Sequence, residues 1–196
     1  TAASHNRVFM VEIMGHKAGW LTLNAGMAGG ADIILIPEIP YNIDSVIEKI
    51  KQRASEGHGF TILAVAEGAM SQKEAAMGKK EYKKHMEELL EQYPSVSYAI
   101  ADKILKKTGK EVRVTVPGHM QRGGTPCAYD RVLSSRLGTT AALMISREEY
   151  GSMVAIQNHV ITSVPLKEIA GKLKTIDPKS DIITEARLLG ISFGDD

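Results

Sequence analysis

Arginine and histidine set among glycines are residues with which a chain can hold an anion. One stretch concentrates them: Arg113-Val114-Thr115-Val116-Pro117-Gly118-His119-Met120-Gln121-Arg122-Gly123-Gly124. Guanidinium and imidazolium groups donate charge-assisted hydrogen bonds to phosphate or carboxylate oxygens. The alternation over Val112–Val116 predicts a short strand that Pro117-Gly118 ends. His119 and Arg122 then fall in a Gly-flanked turn, and Thr125-Pro126 read as the N-cap and first residue of a helix running to about Ser146. A strand, a cationic turn and a helix start, in that order, are how open α/β sheets hold anionic ligands at their carboxyl edge. A basic surface loop would have the same spacing.

Two further loops carry polar residues where a predicted strand stops: Met14-Gly15-His16 and Glu67-Gly68. In a parallel sheet all carboxyl ends lie along one edge, so the three loops can face one cleft. A carboxylate beside cationic donors suits a polyhydroxy ligand bearing phosphate. Glu67 would accept from hydroxyls, and His119 and Arg122 would meet the phosphate. Glu67 could instead serve a helix cap or a salt bridge, and His16 could be a solvated helix-start residue. Arg7 and Arg113 stand at strand starts, the opposite edge. Within one domain they cannot reach the ligand of Arg122. Either they are ordinary surface arginines, which spacing alone favours, or a symmetry-related subunit supplies them to its neighbour's cleft. The other histidines, His5, His58, His85 and His159, share no metal-ligand spacing, and the single Cys127 offers no zinc site and reads as packing. No phosphate-binding P-loop and no nucleophile elbow is present.

The elements that must position these loops follow from periodicity. Residues 7–14 form a nearly continuous apolar run, as in a strand covered on both faces, and Gly15 breaks it. A helix is predicted from about Ala18 to Met27, ending at Gly29-Gly30. A second strand spans Ile33–Ile36, stopped by Pro37 and Pro40. Asn42 caps a helix whose Ile43, Val46, Ile47 and Ile50 share one face, and Gly57-His58-Gly59 ends it. Phe60–Val65 is a third strand. From Ser71 to Gln92 the composition turns to Lys and Glu over a thin stripe of Met77, Met86, Leu89 and Leu90. That is a solvated helix or a flexible insertion, with Glu74, Glu81, Glu87, Glu88 and Glu91 balancing the lysines. An amphipathic helix over Val96–Lys107 precedes the strand before Pro117. A strand at Met153–Gln157, an extended segment at Val160–Val164 and a helix after Pro165 complete the chain. The class is α/β, an open, largely parallel sheet with helices on both faces. Residues 1–124 form the ligand-binding domain, with the Lys/Glu-rich insertion at about 71–95, and residues 125–196 form a C-terminal helix and tail.

With 196 residues there is room for one domain or one and a half. A hydrophobic fraction of 43% and a charged fraction of 24% are ordinary for a globular protein. A net charge of +1 gives no field that would argue for nucleic acid or an anionic membrane. One cysteine excludes an internal disulfide framework and fits a reducing cytoplasm. No apolar run approaches the roughly 20 residues of a membrane span. The opening Thr1-Ala2-Ala3-Ser4-His5-Asn6 lacks a signal-peptide pattern and leads almost directly into a strand, as in a fragment.

Taken together, Met10-Val11-Glu12-Ile13-Met14-Gly15-His16-Lys17-Ala18-Gly19-Trp20, Gly29-Gly30-Ala31-Asp32 with Ile36-Pro37-Glu38, Ala66-Glu67-Gly68, and Gly118-His119-Met120-Gln121-Arg122-Gly123-Gly124 followed by Tyr129-Asp130-Arg131 resemble the C-terminal half of 6-phosphofructokinases. The resemblance runs from Thr1 to about Pro178. The tail through Leu173-Lys174-Thr175-Ile176-Asp177-Pro178 and the Lys/Glu-rich helix are most similar to a bacterial group with ATP-using and pyrophosphate-using members. It implies the substrate-binding part of a glycolytic kinase, a transferase that moves phosphate from ATP or pyrophosphate to the 1-hydroxyl of fructose 6-phosphate with Mg2+. It also implies a cytoplasmic homodimer or homotetramer with no nucleic-acid or membrane partner. Under it, the Met14-Gly15 loop packs on the sugar, Glu67 binds its hydroxyls, and His119 and Arg122 hold the 6-phosphate. Arg7 and Arg113 match arginines that reach across a subunit interface. At position 16 such enzymes usually carry Arg, and His16 would supply a weaker, pH-dependent charge. Glu56-Gly57-His58 stands where regulated bacterial enzymes carry basic effector-binding residues, which argues against that control.

The resemblance places the donor-binding loop, the Mg2+ site and the general-base Asp upstream of Thr1, so no catalytic residue is assigned here and the fragment alone is expected to be inactive. The helix after Thr125 would pack on that missing domain. Its Val132, Leu133, Leu137, Ala141, Leu143, Met144 and Ile145 cover more than one face, which predicts an exposed apolar patch. A non-catalytic phosphosugar-binding or sensing domain is the alternative function, and a purely structural domain would bind no phosphate.

Overall fold

The computed structural model describes Ala2 and residues 7–195, so His5 and most of the opening stretch lie outside the described residues. The chain divides into two compact units, Thr1–Gln121 with Thr175–Asp196, and Arg122–Lys174. The first break falls between Gln121 and Arg122. Residues 175–196, expected to go with the C-terminal helix, join the first unit instead.

In the first unit, strands β1 (Val8–Ile13), β2 (Ile33–Leu35), β3 (Thr61–Ala66) and β4 (Val112–Thr115) form a sheet of order β2-β3-β1-β4. All pairings are parallel, with Val8 opposite both Thr61 and Val112, and Ile33 opposite Leu63. The crossovers a parallel sheet requires are helices α1 (Trp20–Ala28), α2 (Ile43–Ser55) and α5 (Val96–Thr108), with α3 (Gln72–Ala75) and α4 (Lys79–Gln92) between β3 and α5. Helix α2 begins where expected, the Asn42 side chain accepting from the Asp44 N–H.

Two apolar layers sandwich the sheet. On one face Val46, Ile47 and Ile50 of α2 and Ile100 and Ile104 of α5 pack with Val8, Met10 and Leu63. On the other, Leu23 of α1 meets Ile34, Ile36 and Ala64 together with Ile183, Ala186 and Phe193 from the C-terminal segment. That segment carries α8 (Asp181–Leu188), which the sequence reading missed. Beyond it, Ser192 pairs in parallel with Ile33, accepting from the Ile34 N–H and donating to the Asp32 carbonyl. Burial of Ile183, Ala186 and Phe193 against β2 is what draws the tail into this unit.

The Lys/Glu-rich stretch is two helices. Ser71 and Glu74 form a reciprocal capping box on α3. Glu74, expected among the solvated acids, is 7% exposed. Burial would raise its carboxyl pKa, but hydrogen bonds from Ser71 and His85 outweigh that and hold it below the usual range.

The second unit comprises α6 (Ala128–Ser146), the antiparallel pair β5 (Ser152–Gln157) and β6 (Val160–Pro165), and the short α7 (Leu166–Ile169). The two strands are joined by Asn158-His159, both at positive φ, and form a hairpin outside the parallel sheet. Helix α6 begins later than Thr125-Pro126: Cys127 is its N-cap, in a box with Asp130, and its thiol is exposed rather than packed. Tyr129, Val132, Leu143 and Ile145 of α6 are exposed, whereas Met144 is buried.

Candidate functional site

Parallel pairing puts the carboxyl ends of all four strands on one edge of the first unit, so the loops after β3, β1 and β4 follow one another along it. The loop after β1 is held from both sides. Glu67, one residue beyond β3, accepts through Oε1 from the Gly15 N–H at 3.1 Å and the His16 N–H at 2.6 Å. From the other side the Gln121 Oε1 accepts from the Met14 N–H at 3.2 Å. Oε1 thus organises the loop, and among the described residues Oε2 accepts no hydrogen bond. His16 itself sits at φ 53, a left-handed conformation unusual for a side-chain-bearing residue, with its side chain exposed. Gly68 is required here, because a Cβ on it would lie 2.1 Å from the His16 carbonyl oxygen.

The turn after β4 is a single 3-10 segment, Gly118–Arg122, which presents His119 and Gln121 in the first unit. Met14, Gly15, His16 and Glu67 are thus in direct contact, and Gln121 brings the turn carrying His119 against Met14. Arg122 is exposed and belongs to the second unit. Arg7 and Arg113 stand away from this edge, at the amino ends of β1 and β4, where both pair with Glu111 at 3.0 and 2.7 Å. Sequence reasoning missed the part played by Gln121. Its only local signal is its place between His119 and Arg122.

Glu38, beyond β2 in the Ile36-Pro37-Glu38 motif, has a bracing role. Both its oxygens accept from the Gly19 N–H just ahead of α1, at 3.0 and 3.1 Å, and Oε1 also accepts from the Ile176 N–H at 3.0 Å. It ties the C-terminal segment to the end of the His16 loop. A Cβ at Gly19 would come within 2.5 Å of the Ile36 side chain, so the approach is close. Glu38→Ala leaves two N–H groups without their acceptor and is expected to destabilise the unit by about 2 kcal/mol, read from the urea unfolding midpoint. Beside Glu38 lies a cavity of about 480 Å3 lined by Pro37, Met70, Ile176 and Tyr82, with Lys17 at its wall. The volume would take a small molecule. Its walls are largely apolar and the Glu38 oxygens are already engaged, so it suits a polyhydroxy ligand less well than the open edge at Glu67.

Asp32, in the Gly29-Gly30-Ala31-Asp32 motif, is structural: it pairs with Arg53 at 2.9 Å and accepts from the Ile62 N–H at 2.8 Å, fixing β2 against β3. The tail carries Thr175-Ile176-Asp177. Here Ile176 is buried and the Asp177 carboxylate accepts from the Lys179 N–H two residues on, so it forms a local turn. Among the described residues no three His, Cys, Asp or Glu are placed to hold a metal ion.

A family model described as phosphofructokinase matches residues 1–145. The chain is 49% identical over its whole length to an ATP-dependent 6-phosphofructokinase of Spirochaeta thermophila, covering 53% of that protein. It is 46% identical to the enzyme of the same name from Chloroflexus aurantiacus, covering 52%. The chain therefore spans about half the length of these relatives. Among solved structures, phosphofructokinase from Saccharomyces cerevisiae superposes on 85% of the chain and 21% of that protein, with a TM-score of 0.65 and 32% identity. A pyrophosphate-dependent phosphofructokinase from Marinobacter aquaeolei superposes on 92% of the chain and 46% of its own, with a TM-score of 0.70; at 22% identity that likeness concerns the fold.

Proposed function

The chain belongs to the phosphofructokinase family, and on that premise we propose that it is the fructose 6-phosphate-binding part of an enzyme that phosphorylates the sugar's 1-hydroxyl in glycolysis. The observation that carries the proposal is Glu67, whose one oxygen orders the Gly15-His16 loop while the other accepts no hydrogen bond among the described residues. In this reading that oxygen accepts from sugar hydroxyls, the Met14-Gly15 backbone packs against the ring, and His119 and Arg122 take the 6-phosphate. His16 adds charge only when protonated. Arg7 and Arg113 serve the site of a second copy, so the working unit is at least a homodimer, in the cytoplasm.

In this reading Mg2+, the general base and the phosphoryl donor are held by the part of the protein outside this chain, and no step is assigned to them here. The names of the curated relatives favour ATP over pyrophosphate as that donor. Phosphoryl transfer depends on positioning and electrostatic stabilisation of the moving group, and this chain contributes the positioning of the acceptor. The exposed apolar residues of α6 are the surface that the donor-binding part would cover.

The test is Arg122→Ala in the full-length protein. Losing a charge-assisted contact to phosphate costs about 2 kcal/mol, so fructose 6-phosphate affinity should fall about thirtyfold. Unchanged affinity would remove Arg122 from the site. Binding without turnover by the full-length protein would point to a phosphosugar sensor instead.

A further inference from the structure

The amino edge of the sheet carries a cluster that the proposed site leaves half explained. Arg113 is the second residue of β4, Glu111 lies two residues before it, and Arg7 is the residue ahead of β1. Because Val8 pairs with Val112, Arg7 falls opposite Glu111 across the parallel pair. The two-residue period of a strand sets Glu111 and Arg113 on one face. Val112 and Val114 turn the other way, into the layer formed by α2 and α5. Each oxygen of the Glu111 carboxylate then meets one arginine, Oε2 with Arg7 at 3.0 Å and Oε1 with Arg113 at 2.7 Å.

Two oxygens of one anion bridging two guanidiniums is also how a phosphate would engage the same pair. We propose that Glu111 is a built-in occupant of the arginine pair, holding Arg7 and Arg113 in place until the phosphate of a sugar bound by a second copy of the chain displaces it. This rests on the reading that these arginines reach a neighbour's ligand.

The geometry makes the exchange feasible in both directions. All three side chains are partly solvent-exposed, at 32%, 49% and 53%, so the pairs are of the weak, screened kind that a competing anion can break. With Glu111 in place the cluster has a net charge of +1, and without the carboxylate charge it has +2. A phosphate dianion that arrives while Glu111 remains is repelled by it. One that displaces it must first break two ion pairs. Either way the carboxylate lowers phosphate affinity. Its compensating effect, keeping the guanidiniums together, is smaller because Arg113 is already fixed by the pairing of β4 with β1 and an amide oxygen at position 111 can still accept from one arm. No other acid forms an ion pair with either arginine among the described residues.

The experiment is Glu111→Gln in the full-length protein, read by the KM for fructose 6-phosphate. Removing one charge near a dianion in a largely aqueous setting should lower KM about threefold to tenfold at low salt, and the gain should shrink as ionic strength rises. In an Arg7→Ala, Arg113→Ala background the same substitution should change KM little, because the carboxylate then has nothing to occupy. Glu111→Asp, which keeps the charge, should leave KM closer to the parent value than Glu111→Gln does. A KM that is unchanged or raised by Glu111→Gln, while Arg7→Ala raises it, overturns the inference and leaves the proposed site standing. If Arg7→Ala and Arg113→Ala leave KM unchanged, the shared-site reading itself fails, and this inference with it.

Discussion

Phe193→Ala should remove about 3–5 kcal/mol from the stability of the first unit, a large part of the roughly 5–15 kcal/mol that holds a domain folded. Phe193 is fully buried, packed in the layer of Leu23, Ile34, Ile36 and Ile183. Truncation deletes the ring and leaves a cavity that flanking backbone cannot collapse into. On one side Ser192 is locked to Ile33 and Ile34. On the other the Gly194 carbonyl accepts from the Asn42 N–H, and the Gly194 N–H donates to Ser192 Oγ. The Arg187 guanidinium, 5.0 Å from the ring centroid, also loses its aromatic partner. Phe193→Leu, which keeps much of the volume, should cost under about 1.5 kcal/mol. Urea unfolding followed by circular dichroism distinguishes the two. A Phe193→Ala loss below about 1 kcal/mol would mean that residues 175–196 are an accessory to this unit and not part of its core.

That dependence on the tail marks where the sequence stops being readable. Helix α2 was legible because its signals are local: Asn42 caps it, and Val46, Ile47 and Ile50, spaced for one face, are all buried. The parallel sheet was legible because apolar runs alternate with such helices. Helix α8 had local signals too, Ser180-Asp181 at its start and Ile183 and Ala186 three apart. Its reason for folding is β2, some 150 residues earlier, and no short window contains that partner. Glu12 shows the same limit. It interrupts an apolar strand, and its buried carboxylate accepts from the Ser97 N–H at the start of α5, 85 residues away. Thr125-Pro126 looked like a helix start because Pro favours the first turn. Cys127 and Asp130 form the box that opens α6 instead, and a cysteine cap has little statistical weight. At the site, strand ends and residue types pointed to Glu67 and the Met14-Gly15-His16 loop. Gln121 needed coordinates, since its bond to Met14 spans 107 positions.

The larger effect on ligand affinity is expected at Glu67, where substitution removes two functions at once. In Glu67→Ala the free Oε2 is lost as an acceptor, and a hydrogen bond to a charged group contributes about 1.5–3 kcal/mol. The Gly15 and His16 N–H groups also lose Oε1. They lie at the exposed edge, so water can replace it and folding stability changes little. What water does not replace is the fixed left-handed backbone at His16, which in the proposed reading the carboxylate holds in place ahead of sugar binding. Ordering that loop at binding adds to the lost contact, for a total of about 3 kcal/mol, or at least a hundredfold weaker fructose 6-phosphate binding. Glu67→Gln separates the two functions. Its carbonyl oxygen can still accept from both N–H groups, while the amide nitrogen can only donate to a hydroxyl, so the loss should be nearer tenfold. Titration calorimetry on the full-length protein resolves that difference. Affinity within twofold of the parent in Glu67→Ala, with the unfolding midpoint unchanged, would place the sugar elsewhere and leave Glu67 as a loop brace alone.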